Sequence, residues 1–548
     1  MHSPFFKIIS SAILICFLCT HASQAEPVSL SAQGNLVYTP DSNGNIIPDF
    51  SYSGYRKSEQ AIPNIGVVLS IAPVAGDNTQ HIQNAIDQIV SLPVDQDGFR
   101  GALLLSAGTY PVSGQLIIND SGIVLRGQGQ SESDTVILAT GTEQRSLIVI
   151  EGDLSRSEQT SRQEKITDDY VPVGTTSFNV ANTQEFFVGQ SIIVHRPGSD
   201  EWISDIGMDQ IEPDGGTLVQ WTGDSYEFSF EREITAINGN TITIDIPIVQ
   251  MMEDRYGGGY IYPVETSGRV NNIGVENMLL ISEFEVGQED SDEDHAWIGV
   301  ELIDAEHSWV RDITARHFGY ALASVERGSR FITVRDSNNV DPVSRITGSR
   351  RYSFNLDGSL SLFLRCTSNN GRHDFVTGSR VTGPNAFVYG VATQTHSDIG
   401  PHHRWAMGTL FDNISGGEIN IQDRGNFGTG HGWAGAQQVL WNTEGTIQTS
   451  VQSPPGAINW SIGHTGPRYE GRHSRPQGEW VSHNQKVLPE SLFVKQLEER
   501  LGVSQAAVVL RSTDPVDPID PADPVDPENQ EMPFILMIPS IIIDAIEK

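Results

Sequence analysis

The chain has 548 residues, with 69 acidic against 34 basic side chains and a formal net charge of −35. So acidic an average surface argues against nucleic acid as a partner and admits a polyanion only where positive charge is concentrated. The same balance aids solubility.

In chain order, Lys7, the apolar residues 8–18 and the small residues Ala22-Ser23-Gln24-Ala25 read as a secretory signal spanning 1–25. That apolar run is too short for a stable membrane anchor. Cys16 and Cys19 lie inside it, so the mature chain keeps Cys366 alone, forms no internal disulfide and must rest on its core. A helix is predicted over 78–90, capped by Asp77, because Ile82, Ala85, Ile86, Ile89 and Val90 recur on one face. Short β-rich runs follow at 101–110, 115–119, 123–127 and 135–138, punctuated by Gly, Ser and Asn. Gly127-Gln128-Gly129 is a turn between strands rather than a nucleotide motif.

Residues 151–270 interrupt this series. Runs at 171–194, 228–237 and 240–248 read as strands, with Trp202 and Trp221 in the polar stretch between the first two. An inserted β-rich subdomain, or enlarged loops beside a groove, is expected here. Beyond 270 the punctuation repeats at a longer period. Val310-Arg311-Asp312 and Val334-Arg335-Asp336 are 24 residues apart, and strands near Leu364, Val388, Leu410 and Leu440 continue the series. A unit that short buries its apolar face only by stacking on its neighbours. The prediction is an all-β chain, a right-handed parallel β-helix with an N-terminal capping helix, over 26–510. A β-sandwich would place turns every ~8–12 residues with strict alternation. A closing helix is predicted over 489–501, with Leu492, Phe493, Leu497 and Leu501 as its stripe, Pro489 in its first turn and Gly502 at its end. The Asp-Pro tract in 511–530 reads as an extended linker, and 531–548 as an apolar tail too short to span a bilayer.

The densest chemistry lies between 371 and 435. Gly371-Arg372-His373-Asp374-Phe375, Gly400-Pro401-His402-His403-Arg404-Trp405, Gln422-Asp423-Arg424-Gly425-Asn426 and Gly428-Thr429-Gly430-His431-Gly432-Trp433 hold, with His396, five of the 15 histidines. Interleaved arginines make this a cationic, titratable site in an acidic chain, suited to an anionic substrate and to proton transfer. One solenoid period separates the Arg372, His402 and Arg424 strings. If they share a face they form a ladder ~10 Å long at the usual strand spacing.

Gly76-Asp77-Asn78-Thr79, Gly108-Thr109-Tyr110 and Val124-Leu125-Arg126-Gly127 resemble the pectate-lyase-like superfamily of secreted β-helix enzymes. Arg350-Arg351-Tyr352-Ser353-Phe354 and the strings at 371 and 400 look like a bacterial group of polysaccharide lyases, ulvan lyases first among them. The resemblance spans roughly 45–502. It implies a secreted, periplasmic or cell-surface bacterial enzyme, expected as a monomer, that cleaves a uronate-containing polysaccharide, with or without sulfate groups, by β-elimination. Neither the calcium-binding acidic pattern nor the Arg-x-Pro-x-x-Arg string of true pectate lyases is present, so neither role is carried over.

For such a reaction Arg404 or Arg372 is the expected carboxylate neutraliser, assisted by Asn426. His403 or His373 is the base and His402 the acid. Arg424 and Arg351 suit a sulfate group, Trp405 and Trp433 suit sugar faces, and His396 and His431 complete the binding set. Competing readings stand beside these. Adjacent His402 and His403 on a strand point to opposite faces unless a turn re-aims one. Arg372 pairs with Asp374, His431 braces backbone, and the Arg311-Asp312 and Arg335-Asp336 pairs decorate solvated rungs. No metal is assigned. His396, Asp398 and His402 match no common zinc spacing, and the acidic run 289–294 offers calcium ligands but reads better as a solvated loop. A β-helix hydrolase using two of Asp374, Asp398, Asp412 and Asp423 is the nearest rival, and a binding solenoid the non-enzymatic one.

Overall fold

A computed structural model describes residues 26–213 and 218–511. The secretory signal, almost all of the Asp-Pro tract and the apolar tail lie outside the described residues. From Val67 onward the chain winds into a right-handed parallel β-helix, whose strands join one 28-stranded sheet system by parallel pairings between successive coils. The repeat read from Val310 and Val334 is a true rung: Val310 pairs with Val334 and Arg311 with Arg335. Leu364 pairs with Val388, as expected. One step further the register differs, because Val388 pairs with Asp412, and Leu440 faces Phe411 rather than Leu410.

Apolar residues from every coil stack into a single interior column that includes Leu103, Leu125, Val275, Val310, Val334, Phe363, Phe387, Phe411 and Leu440. Phe363, Phe387 and Phe411 form a continuous stack, with ring centroids 4.6 and 5.3 Å apart. No unit has a closed core alone, so stability lies between neighbours.

Both capping helices form, with shifted ends. The first is Thr79–Val90 with Asn78 at the cap position, while Asp77 Oδ1 accepts from the Thr79 hydroxyl at 2.6 Å and from the Ser113 amide at 3.0 Å. The closing helix is Leu492–Leu501, capped by Ser491, whose side chain accepts from the Val494 amide. Pro489 stands before the cap instead of in the first turn. Gly502 then turns the chain at φ +84° into a second helix, Val503–Leu510. Among the described residues no helix is long and apolar enough to cross a membrane.

The arginine–aspartate pairs are not solvated decoration. Arg311 is buried against Glu276 at 2.7 Å, and Glu276 also takes Arg126 at 2.5 Å. Arg335 is buried and pairs with Asp336, which also holds Arg365.

The interruption is a folded antiparallel sheet in which Ser191–Arg196 lies between Phe228–Asn238 and Tyr260–Ser267. Its core of Trp202, Met208, Trp221 and Phe228 continues without a break into Trp405, Met407 and Trp433 of the solenoid. The insertion therefore packs directly against the coils that carry the histidines.

Candidate functional site

Phe354, Leu356 and Phe375 point into the interior column, so their neighbours along the strands face outward. On that face, strand Phe375–Thr377 pairs with Asp398–Pro401, placing His373, Asp398 and His402 on adjoining coils. After Pro401 the chain leaves the strand and bends. This frees His402 and His403 from strand alternation, and their rings meet at 4.6 Å. The exception foreseen for this pair, a turn that re-aims one of them, is what occurs at this bend. The Gly-rich run closes as a narrow loop, with the Arg424 amide donating to Gly432 O at 2.7 Å and the Gly432 amide to Gly425 O at 2.9 Å. It returns His431 to within 4.6 Å of His403 and 5.3 Å of His402. Gly432 holds φ +53°, and a Cβ there would collide with Met208 and Trp221 of the insertion.

Four imidazoles thus converge, with His373 and His402 4.1 Å apart. Tyr352 stands edge-on to both, at 5.0 and 5.3 Å. Asp398 orders the inner end. Its Oδ2 takes Arg424 at 2.6 Å, and its Oδ1 lies 3.1 Å from His373 Nδ1, which is also 2.7 Å from Asp398 O. This contact places the His373 proton on Nδ1 and leaves Nε2 as an acceptor. Burial opposes ionisation of Asp398, yet Arg424 and His373 hold its carboxyl well below the usual range. Burial, then the surrounding positive groups, push the imidazoles down: His403 to about 4, His431 to about 3, with His373 and His402 also lowered. All four are neutral at neutral pH. His373 Nε2, His402 Nδ1 and His431 Nδ1 are buried without a hydrogen-bond partner, as are Arg372 Nη1 and Arg424 Nε. Such concentrated unmet hydrogen-bonding capacity is costly in a fold and calls for a ligand.

The structure brings together His373, His402, His403, Arg424 and His431 at short range. Arg372 reaches them through Tyr352, whose phenol is raised by burial and eased by the Arg372 and Arg424 charges. Arg404 lies at the solvent side, bonded to Thr429. Asn426 is turned away, its Nδ2 donating to Glu212 O at 3.0 Å. His396 is exposed and bonds Asn370.

Other expectations are corrected. Arg351 is wholly buried, donating to Asp290 and to Ser344 O, both at 2.7 Å, so it offers no fork to a sulfate. Trp405 and Trp433 are each 1% exposed and donate to Gln250 and to Ile206 O, so neither presents a face to a sugar. Asp374 does not pair with Arg372; it is buried between the Ser353 and Ser368 hydroxyls, and burial raises its carboxyl to about 6. In the acidic run Glu293 holds Arg350 and Arg345, and Asp290 holds Arg351, which takes two of its carboxylates into ion pairs.

Two groups have ligand atoms mutually within 4.8 Å and so can hold one cation: His402, His403 and His431, or His373, Asp398 and His402. Neutral imidazoles suit a borderline metal, whereas the Arg372, Arg404 and Arg424 charges oppose a dication.

Three further groups escaped the sequence reading. Tyr352 was visible only as part of a string. Glu326 follows strand Ala321–Val325, and Asp357 follows Phe354–Leu356, on the same outward face one coil apart. Burial and mutual repulsion raise Glu326 to about 7, and burial raises Asp357. Each is a lone acid in an unremarkable turn, and only the coil register relates them.

No family model matches the chain, and no curated protein matches it in sequence. Among solved structures it is similar to the tailspike protein gp49 of Pseudomonas phage LKA1 (12% identity, 75% of this chain and 74% of that one, TM-score 0.38). It is also similar to an alginate lyase from Paenibacillus sp. str. FPU-7 (9% identity, 77% and 100%, TM-score 0.37). A third is the tailspike of E. coli bacteriophage HK620 in complex with a pentasaccharide (10% identity, 73% and 55%, TM-score 0.38). These are distant likenesses, and the fold assignment rests on the strand pairing itself.

Proposed function

We propose that the protein is a secreted polysaccharide lyase that cleaves a uronate-containing, ulvan-like polymer by β-elimination. The observation that carries this reading is the cluster of four neutral, partly unsatisfied imidazoles bordered by Arg372, Arg404 and Arg424. Removing the C5 proton of a uronate requires its carboxylate to be neutralised as negative charge moves onto it. Arg404 and Arg372 supply that charge from the solvent side. His403, half-buried and unprotonated at neutral pH, takes the proton. A bound carboxylate favours the imidazolium and raises its basicity towards the working range. Tyr352 or His402 returns a proton to the leaving oxygen.

The four aspartates of the rival hydrolase are otherwise engaged. Asp374 is sealed by serines, Asp398 holds Arg424, Asp412 binds Ser491 and the Phe493 amide at the closing helix, and Asp423 holds Arg475. One observation does favour hydrolysis: Glu326, held protonated to about 7, sits one coil from Asp357 and has the character of a general acid.

The test is to incubate the protein with ulvan and other uronate polymers and follow both ultraviolet absorbance of unsaturated ends and new reducing ends. Absorbance that rises, and is lost in His403→Ala, is the expected result. Reducing ends without absorbance, lost in Glu326→Gln, would replace the lyase by the hydrolase.

A further inference from the structure

A second positively charged feature spans three successive coils, the last of them the coil that carries His373, where the inserted sheet meets the solenoid turns. It is a cavity of ≈ 220 Å³. Its floor carries Arg232, Arg269 and Arg330, and its rim Arg156, Arg327 and Arg380, against three acids, Glu227, Glu231 and Asp357. The floor is built and rigid. Glu231 is shared by Arg269 at 3.0 Å and Arg330 at 2.7 Å, and Arg330 also takes Glu306 at 2.8 Å. Arg232 is buried and donates only to carbonyls, Ile246 O at 3.0 Å and Pro247 O and Gly383 O at 3.3 Å. No carboxylate lies within ion-pair distance of Arg156, Arg327 or Arg380 among the described residues, and Arg380 Nε is buried without a partner. In a chain of net charge −35, a lined hollow with six guanidiniums and three carboxyls is a local inversion of sign.

Position ties this hollow to the imidazoles. Arg327, Arg380 and Arg404 each follow an outward-facing strand at the same corner of the solenoid, and the Arg380 amide donates to Arg404 O at 2.7 Å. Arg327 stands two coils from Arg380, about 10 Å at the usual strand spacing. A polysaccharide whose scissile unit rests at His403 and which runs along this corner passes over the hollow.

We propose that this arginine-lined hollow is an anion subsite that binds a carboxylate or sulfate substituent of a sugar unit removed from the scissile bond. The proposal rests on reading the molecule as a binder of anionic polysaccharide, and it extends the site rather than altering its chemistry. Guanidinium forks suit both substituents, which share planar or tetrahedral oxyanion faces.

The test is calorimetric titration of the whole protein with glucuronate and, separately, inorganic sulfate at constant ionic strength, alongside Arg156→Ala/Arg327→Ala. Those two rim side chains are exposed, so the variant is expected to fold, and an unchanged melting temperature without ligand confirms it. Expected is saturable binding of at least one anion by the parent and about tenfold weaker binding by the variant; which anion binds tells carboxylate from sulfate. With polymer, the variant's KM rises severalfold while kcat falls much less, the signature of lost uniform binding. Anion binding that the variant weakens, in a protein that forms no unsaturated product, keeps the subsite and removes the lyase reading. Failure of the parent to bind either anion, or equal binding by parent and variant, overturns the subsite.

Discussion

The outward face of the solenoid has an acidic stretch, Glu326 and Asp357, and an imidazole stretch, His373 to His431, and burial acts on them in opposite senses with one result. It raises the carboxyls, Glu326 to about 7, and lowers the imidazoles, His403 to about 4. Each moves towards its uncharged form, because a low-dielectric surround disfavours charge of either sign. Along this face the charge that persists is that of the guanidiniums and of Asp398, which Arg424 and His373 keep ionised. The local charge of this face is thus set partly by silencing other titratable groups.

The comparison breaks most readily at the base. His403→Ala is expected to lower kcat by about 10²–10⁴ if the imidazole stretch carries the chemistry. Glu326→Gln should then leave kcat within a few-fold, and steady-state kinetics of the two variants on one polymer reverse this order if the acidic stretch is catalytic. Next in size is Asp398→Ala, which strands the buried Arg424 charge and releases His373; a loss of about 3–5 kcal/mol is expected by denaturant unfolding. The pH profile sharpens the contrast further. His403 is lowered, so its basic form persists down to about pH 4, and the acid limb of kcat/KM for the free enzyme should fall near there rather than near 6.5. The smallest effect concerns a buried acid elsewhere. Burial raises Asp412 to about 7 in the folded state. The native state therefore holds its proton more tightly than the unfolded chain, and the contribution of Asp412 to stability is full below about pH 4 and lost as pH rises through 7. Melting temperatures across that window should fall in the parent and flatten in Asp412→Asn.

Much of the architecture was legible in the sequence because a solenoid writes its period into the chain. The Val310 and Val334 strings pair on the expected rung, and both capping helices announced their apolar stripes. The partner of Val388 is Asp412, two residues past Leu410 although the 24-residue step is kept, and the following coil, Phe411 to Leu440, is the lengthened one, at 29 residues. Within the site, the dense His and Arg strings were visible as a cluster. The fates of single residues were not, since they depend on partners far away in sequence. Trp405 looked like a sugar platform until the insertion covered it, Arg351 like a sulfate fork until Asp290 met it, and Glu326 gave no signal without its neighbour one coil on. For the His402–His403 pair the sequence left two outcomes, strand alternation or a re-aiming turn, and the bend after Pro401 decides for the turn.

Trp405 and Trp433 have a consequence for assembly. They are the immediate neighbours of Arg404 and Gly432, yet they are buried against Trp202, Met208 and Trp221, more than 180 residues upstream. The walls of the imidazole cluster are therefore set by a piece of chain made long before the cluster itself. The insertion's apolar core is completed only by residues of those late coils. The order of the cluster thus depends on both stretches of chain being in place, and deleting the insertion would remove the wall against which Trp405 and Trp433 pack.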